Sequence, residues 1–198
     1  RSSRAGHHII LFDYQQTRAA EHPRQFLRGF SGHLHVDGYV GYEGLPGVEL
    51  VGCWAHAPQI RGSGERFAAS SNNSRKPAAL EDFRSWLEQR FDALTPKGLT
   101  GKAINYRLNQ WSKLTTFLKD GRLEIRNNRA ENVIRPVAVG RKNWLLANTP
   151  EGARASAVIF SMIETAKANG VNPSGYLTYL FEQLLNQGNI SDPATLDG

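Results

Sequence analysis

The spacing of apolar residues changes along this chain, and that change limits its fold more than any other feature. Three short apolar or alternating runs occupy residues 8–14, 33–37 and 48–54. Runs of this length, bounded by glycine and other turn residues, are typical of β-strands. From Leu80 onward, apolar residues recur at helical spacing, which is typical of helices with one face on a core. The order predicts an α/β protein: a partial mixed sheet with helices, followed by a mainly α-helical C-terminal half.

Shorter signals place the individual elements. A helix is predicted over residues 21–29, with Pro23 near its first turn and Gly29 past its end. Residues 41–47 predict a turn or a single helical turn, and further helices are expected over 151–169 and from Pro173. Two stripes predict core packing: Leu80, Phe83, Leu87, Phe91 and Leu94, then Ile104, Leu108, Trp111, Leu114 and Leu118.

Composition limits the class of protein. The 198 residues carry 24 Lys and Arg against 18 Asp and Glu, a net charge of +6. This excess favours a polyanionic partner such as DNA, although a solvated basic face would produce it too. No apolar run approaches the roughly 20 residues of a membrane span, and no signal peptide is recognised. One cysteine, Cys53, excludes an internal disulfide and suits the cytoplasm.

Polar side chains concentrate in residues 127–136, at the start of a predicted helix. Asn128 is a good N-cap, and Glu131 stands three positions later, where a capping-box carboxylate belongs. Asn127 or Asn128 would share one polar stripe of that helix with Glu131 and Arg135. Pro136 would bend or end it.

A lone glutamate among arginines suggests metal-assisted phosphate chemistry. Two divalent cations held by carboxylates can activate an oxygen nucleophile and stabilise a leaving oxygen, and Mg²⁺ prefers such hard oxygen ligands. Asp37, which ends a predicted strand, is the best partner for Glu131. Two simpler interpretations stay open: Glu131 is only a capping residue, and Asp37 only forms an Asp-Gly turn with Gly38.

Zinc binding is a weaker interpretation. Cys53 and His56 have the Cys-x-x-His spacing of two zinc ligands. A structural zinc site takes four ligands, and no second pair is obvious. His33 and His35 are as well explained as surface residues of a strand.

Basic residues near Glu131 are candidates for contacts with the DNA backbone. Arg141 and Lys142 could bind a phosphate beside Trp144. Alternatively, Trp144 could pack in the core while both cations face water. Residues that flank Glu131 are the better candidates. The predicted DNA contacts are Asn128, Arg129, Arg135, Arg141 and Lys142.

Several long motifs, in the same order, resemble the insertion-sequence-sixty-six family of bacterial transposases. They are FDY (12–14), EHP (21–23), HVDGYVGY (35–42), GCWAHA (52–57), NNRAEN (127–132), IRP (134–136), GRKNW (140–144) and IETAKANG (163–170). The resemblance implies an RNase H-like fold and a DDE active site that uses Mg²⁺ or Mn²⁺ to cut and join DNA ends. In the family pattern the second acidic residue matches Asp37 and the last matches Glu131. Both residues would therefore be catalytic metal ligands.

The resemblance also implies a division of the chain and a set of partners. Residues 1–57 would form the N-terminal part of the RNase H-like core without its first strands, and 58–100 a shortened insertion or linker with a helix. Residues 101–147 would form the helical part of the core that carries Glu131, and 148–198 the C-terminal helices. Transposon ends and target DNA would be the partners of a homo-oligomer, in the bacterial cytoplasm at the nucleoid.

Three departures from the family pattern predict a truncated copy. The family's first aspartate precedes the strand matching residues 8–14 and is expected to lie outside this sequence; Asp13 matches a later strand and is a poor substitute. Arg126 stands where the family places an aspartate, and Pro58 interrupts a basic helix. Loss of one ligand misplaces the ion pair, so the chain alone is expected to be inactive or nearly so. The alternative function is an inactive remnant that binds DNA or a full-length transposase.

Overall fold

The computed structural model describes residues 7–55, 77–94, 98–144 and 149–186, with only the backbone given for 141–144 and 185–186. Two strands pair in parallel, and two short 3₁₀ helices cover Val40–Tyr42 and Thr116–Leu118. The strands are β1 Gly32–Val36 and β2 Val48–Gly52. The helices are α1 Glu21–Phe26, α2 Pro77–Asp92, α3 Leu99–Asn109, α4 Trp111–Thr115, α5 Asn128–Trp144, α6 Pro150–Ala168 and α7 Pro173–Asn186.

The chain divides into two compact units. Residues 18–128 form one, called the central unit below. Residues 1–17 and 129–198 form the other, called the terminal unit. The division into four segments expected from the sequence stays a prediction.

The central unit is built on the two predicted strands and the two predicted helical stripes. Strands β1 and β2 pair in parallel with Leu34 opposite Leu50 and Val36 opposite Gly52, which confirms the strands predicted over 33–37 and 48–54. Both stripes contribute to one hydrophobic core with Val51, whose largest fully buried members include Leu87 and Ile104. Each such side chain stabilises the fold by about 1.5–3 kcal/mol when fully buried.

Aromatic residues complete this core. The Trp54 ring meets the Trp111 ring edge-on at 6.1 Å, and its Nε1–H donates to the Leu114 carbonyl at 2.8 Å. Arg107 is buried beside the rings of Trp54 and Phe83, at 5.8 and 5.7 Å from their centroids. Burial lowers the pKa of the Arg107 guanidinium. The core therefore packs a cation against ring faces, a favourable arrangement for a buried charge.

The strand predicted over residues 8–14 is wrong. In the terminal unit this segment belongs to no helix or strand. The N–H groups of His8, Ile10 and Phe12 instead donate to side chains of α6 and of Asn169, the residue that directly follows it. The spacing of these bonds fits an extended segment that runs antiparallel to the helix. Two residues of extended chain rise about 6.6 Å and four residues of helix about 6 Å. Every second N–H therefore meets an acceptor one helical turn closer to the start of α6. These acceptors are Asn169, Thr165 and Ser161.

The helices of the terminal unit follow their predicted boundaries closely. Thr149 caps α6 by accepting the Gly152 N–H at 3.0 Å, and α7 begins at Pro173 as expected. Helix α5 begins at Asn128 and contains Pro136. Of the two effects expected of Pro136, bending or ending the helix, the second is wrong, because α5 continues to Trp144. A proline removes one backbone hydrogen bond, and the turns on either side of Pro136 keep theirs.

The described residues form a mixed α/β structure that is mostly helical, with a two-stranded parallel sheet. Among these residues, no helix has the length and apolar character required to cross a membrane.

Candidate functional site

Asp37 directly follows β1, and its side chain organises the turn that leaves the strand. Its Oδ1 accepts the Tyr39 N–H at 3.1 Å, and Gly38 has a φ of +93°. A positive φ suits glycine because it has no Cβ to clash. The Asp-Gly turn expected as the simpler interpretation is therefore present. The carboxylate is also exposed, so the turn leaves it accessible to a ligand.

Three tyrosines surround this turn within the central unit. The rings of Tyr39 and Tyr42 meet edge-on at 5.7 Å. The pKa values of Tyr42 and Tyr106 are both raised, mainly by burial and then by the negative charge of Asp37. This response to Asp37 places both phenols in the electrostatic field of its carboxylate.

Tyr106 was not predicted from the sequence. It lies on α3, and its hydroxyl is 3.5 Å from the Asp37 carbonyl oxygen. The hydroxyl also occupies space that a Cβ on residue 38 would need. The contact joins residues 69 positions apart. The one sequence signal for this contact is Gly38 itself, because a glycine after a strand can mark a place where another group approaches the backbone closely.

Glu131 lies in the first turn of α5, as predicted. Asn128 and Arg135 stand three positions before it and four after it, which places all three on one stripe of the helix. Glu131 is half-buried, whereas Asn128 and Arg135 are exposed. A carboxylate at a helix start also interacts favourably with the helix dipole. The position of Glu131 in the first turn fits a capping residue, and its place on a polar stripe fits a metal ligand.

Two of the predicted DNA-contact arginines differ in their surroundings within the terminal unit. The Arg129 Nη2 atom lies 3.1 and 3.0 Å from the two ring nitrogens of His8. Arg135 is exposed and, among the described residues, forms no ion pair. Arg135 is therefore the better placed of the two to bind a phosphate. Arg141 and Lys142 lie on the last turns of α5, and their side chains fall outside the described part of the chain.

Cys53 is buried, at 4% exposed, and its Sγ accepts the Asn127 N–H at 3.2 Å. This bond ties the end of β2 to the residue that precedes α5. His56, the other residue of the predicted zinc pair, lies outside the described residues.

The described residues contain no group of three or more His, Cys, Asp or Glu side chains able to hold a metal ion. Asp37 belongs to the central unit and Glu131 to the terminal unit, so their convergence on one ion stays a prediction. Considered by itself, the Asp37 carboxylate provides the oxygen ligands that a hard divalent cation prefers. Its carboxylate is exposed, and within the described chain its hydrogen-bond partner is the Tyr39 N–H.

Comparison with known proteins shows the family. The Transposase IS66 family matches residues 1–59 and 59–155, and the IS66 C-terminal element matches residues 161–196. The chain belongs to the IS66 transposase family. Asp37 lies in the first range that the Transposase IS66 family matches, and Glu131 lies in the second. The resemblance inferred from the motifs is confirmed.

Relatives of this IS66 chain occur in Sinorhizobium fredii (strain NBRC 101917 / NGR234). The uncharacterized protein y4qI is 28% identical over 86% of this chain and 39% of its own length. The uncharacterized protein y4hP is 28% identical over 81% of this chain and 38% of its own length. The chain thus spans about two fifths of the curated relatives it matches. No solved structure matches it.

Proposed function

We propose that this IS66 chain is part of a DDE-type transposase catalytic domain with an RNase H-like fold. The observation that carries the proposal is the family match across residues 1–155, which includes the motifs around Asp37 and Glu131 in the family's order. Asp37 follows the parallel strand β1, and Glu131 lies in the first turn of α5. Elements of this kind hold functional side chains more rigidly than long loops do.

The proposed chemistry is cleavage and transfer of DNA strands. Bound Mg²⁺ or Mn²⁺ would supply Lewis acidity at the phosphodiester. Asp37 and Glu131 would each contribute carboxylate oxygens that hold the cations in place. A further carboxylate, from the family's first acidic position, would complete the ligand set.

The exposed basic residues of α5 would hold the DNA backbone. Arg135 shares a helical stripe with Glu131, so a phosphate bound there would bring its strand towards the carboxylate. Binding of this kind weakens with salt as counterions are released, with a slope of about −0.9 per phosphate neutralised on duplex DNA. We further propose that several copies assemble on transposon ends and target DNA at the nucleoid.

The test begins with the DNA upstream of the codon for Arg1. If an in-frame strand bearing an aspartate continues there, the longer chain is assayed for Mg²⁺- or Mn²⁺-dependent nicking of DNA. We expect nicking that falls by orders of magnitude in Asp37→Asn and in Glu131→Gln. The matched control is Asp13→Asn, an exposed carboxylate outside the family's acidic positions, which should nick at the normal rate. Equal nicking by all three variants would contradict the proposal.

The second candidate is a remnant that binds DNA, or a full-length transposase, without catalysis. It is favoured by the exposed Arg135 of α5, which could bind a phosphate without any metal site. A stop codon or unrelated sequence upstream of Arg1 would support it. The remnant should still bind DNA with a steep salt dependence, and Arg135→Gln should lower that slope. Strong nicking by the 198-residue chain that disappears in Asp37→Ala would exclude it.

A further inference from the structure

The turn that carries Asp37 is held by a residue from a distant helix. We propose that Tyr106 of α3 is a positioning residue that fixes the Asp37–Gly38 backbone and thereby the direction of the Asp37 carboxylate. This inference rests on the proposed function, in which Asp37 is a metal ligand.

The contact between Tyr106 and the turn is made on the backbone. The Tyr106 hydroxyl is 3.5 Å from the Asp37 carbonyl oxygen, which is longer than the usual O–H···O hydrogen bond of about 2.5–3.0 Å, so the contact is a weak polar one supported by close packing on Gly38. A Cβ added to Gly38 would collide with that hydroxyl, whereas the next ring atom, Cζ, would be 3.5 Å away. Gly38 therefore provides both the positive φ of the turn and the space for the hydroxyl.

The other side of the turn is anchored independently. The Asp37 carboxylate accepts the Tyr39 N–H, and the Tyr39 hydroxyl donates to the Arg18 carbonyl. The Tyr39 ring covers Gly41, where a Cβ would collide with it, and the Arg18 guanidinium lies 5.4 Å from the ring centroid. The turn is thus held at Asp37 by Tyr106 and at Tyr39 by its own ring.

This arrangement favours binding of a ligand at Asp37. The contact with Tyr106 leaves the carboxylate exposed. A side chain on a fixed backbone loses less conformational freedom when it binds an ion. Ligands held in place by neighbouring residues also bind more tightly, by about 10–100-fold in metal sites.

The experiment compares Tyr106→Phe with the matched control Tyr179→Phe, an exposed tyrosine on α7. Phenylalanine keeps the ring and removes only the hydroxyl. Amide hydrogen exchange at Gly38 and Tyr39, Mn²⁺ affinity and the melting temperature are measured for both. In Tyr106→Phe we expect exchange at these amides to be about three- to tenfold faster and Mn²⁺ binding to weaken several-fold, at an unchanged melting temperature. Tyr179→Phe should change none of these.

The outcomes separate this inference from the proposed function. If Asp37→Asn weakens Mn²⁺ binding but Tyr106→Phe alters neither affinity nor exchange, the inference is overturned and the metal role stands. If Tyr106→Phe speeds exchange but Asp37→Asn leaves Mn²⁺ binding unchanged, Tyr106 positions the turn and the metal role fails. A large drop in melting temperature with Tyr106→Phe would show that the hydroxyl supports the fold as a whole, which also overturns the inference.

Discussion

The attachment of residues 8–12 to α6 offers a sharp test of the terminal unit. Thr165 sits at the middle of this contact, where its Oγ1 accepts the Ile10 N–H at 2.9 Å and donates to the Ile10 carbonyl at 3.1 Å. Replacing Thr165 with valine keeps the shape of the side chain and removes both hydrogen bonds. The neighbouring bonds, from His8 to Asn169 and from Phe12 to Ser161, remain.

The magnitude follows from these two bonds. Each contributes about 0.5–1.5 kcal/mol net, so their joint loss costs about 1–3 kcal/mol. Ile10 is half-buried, which reduces the access of water to its N–H and carbonyl in the variant. We therefore expect local opening of residues 8–12 to become about 5- to 150-fold more frequent, since 1.4 kcal/mol corresponds to a factor of ten.

Amide hydrogen exchange resolved by residue is the direct assay. The Ile10 and Phe12 amides should exchange faster in Thr165→Val by this factor, while amides of β1 and β2 in the central unit should not change. Thr165→Ser is the matched control, because it keeps the hydroxyl and loses only the methyl group. If the Ile10 amide exchanges equally fast in all three proteins, the hydrogen-bonded attachment to α6 is wrong.

Four further predictions concern stability. Leu87→Ala removes a fully buried side chain and should lower the free energy of unfolding by about 2–5 kcal/mol in urea titrations. Gly38→Ala should lower the free energy of unfolding by about 1–2 kcal/mol for the positive φ and by about 1 kcal/mol more for the collision with the Tyr106 hydroxyl. Adding Tyr106→Phe to this variant should restore only the second part of that free energy. No restoration would refute the contact between Tyr106 and Gly38. Thr149→Ala removes the cap of α6 and should cost about 1 kcal/mol, seen as faster exchange at Gly152. Burial lowers the pKa of His35, with partial opposition from the negative charge of Glu124. The contribution of neutral His35 to stability is therefore full above pH 6.5 and is lost as the pH falls below that value. The melting temperature should decline below pH 6.5, and it should decline less steeply in His35→Gln.

The sequence predicted those elements whose burial pattern is local. Leu80, Phe83 and Leu87 are buried on one face of α2 as their spacing indicates, and β2 occupies the predicted apolar run. In such elements the periodicity of apolar residues and the packing surface agree, so a short window contains the information.

The errors arose where partners are distant in sequence. Residues 8–14 have the composition of a strand, but their hydrogen-bond partners are Ser161 and Thr165 on α6 and Asn169 at its end, about 150 positions away. An apolar run does not reveal whether its backbone will bond to another strand or to side chains. Pro136 signals a bend or an end of α5, and the helix continues past it.

In the candidate site, too, the features set by local sequence were predicted and those that depend on distant residues were not. The turn at Asp37 and the position of Glu131 in the first turn of its helix follow from local motifs. The approach of Tyr106 to Gly38 depends on where α3 lies relative to the turn after β1, which a single sequence does not encode in any short pattern. Both residues lie within the ranges that the IS66 family matches, and their roles as metal ligands stay predictions.

The most direct test of the central claim is a Mn²⁺ titration, by isothermal calorimetry, of the chain and of Asp37→Asn, Glu131→Gln and the double variant. A shared ion predicts that each single change weakens the tightest binding by at least about tenfold, and that the double variant binds little worse than either single one. Losses that simply add, or a single variant that binds Mn²⁺ as the parent chain does, would contradict the claim that these two carboxylates hold one ion.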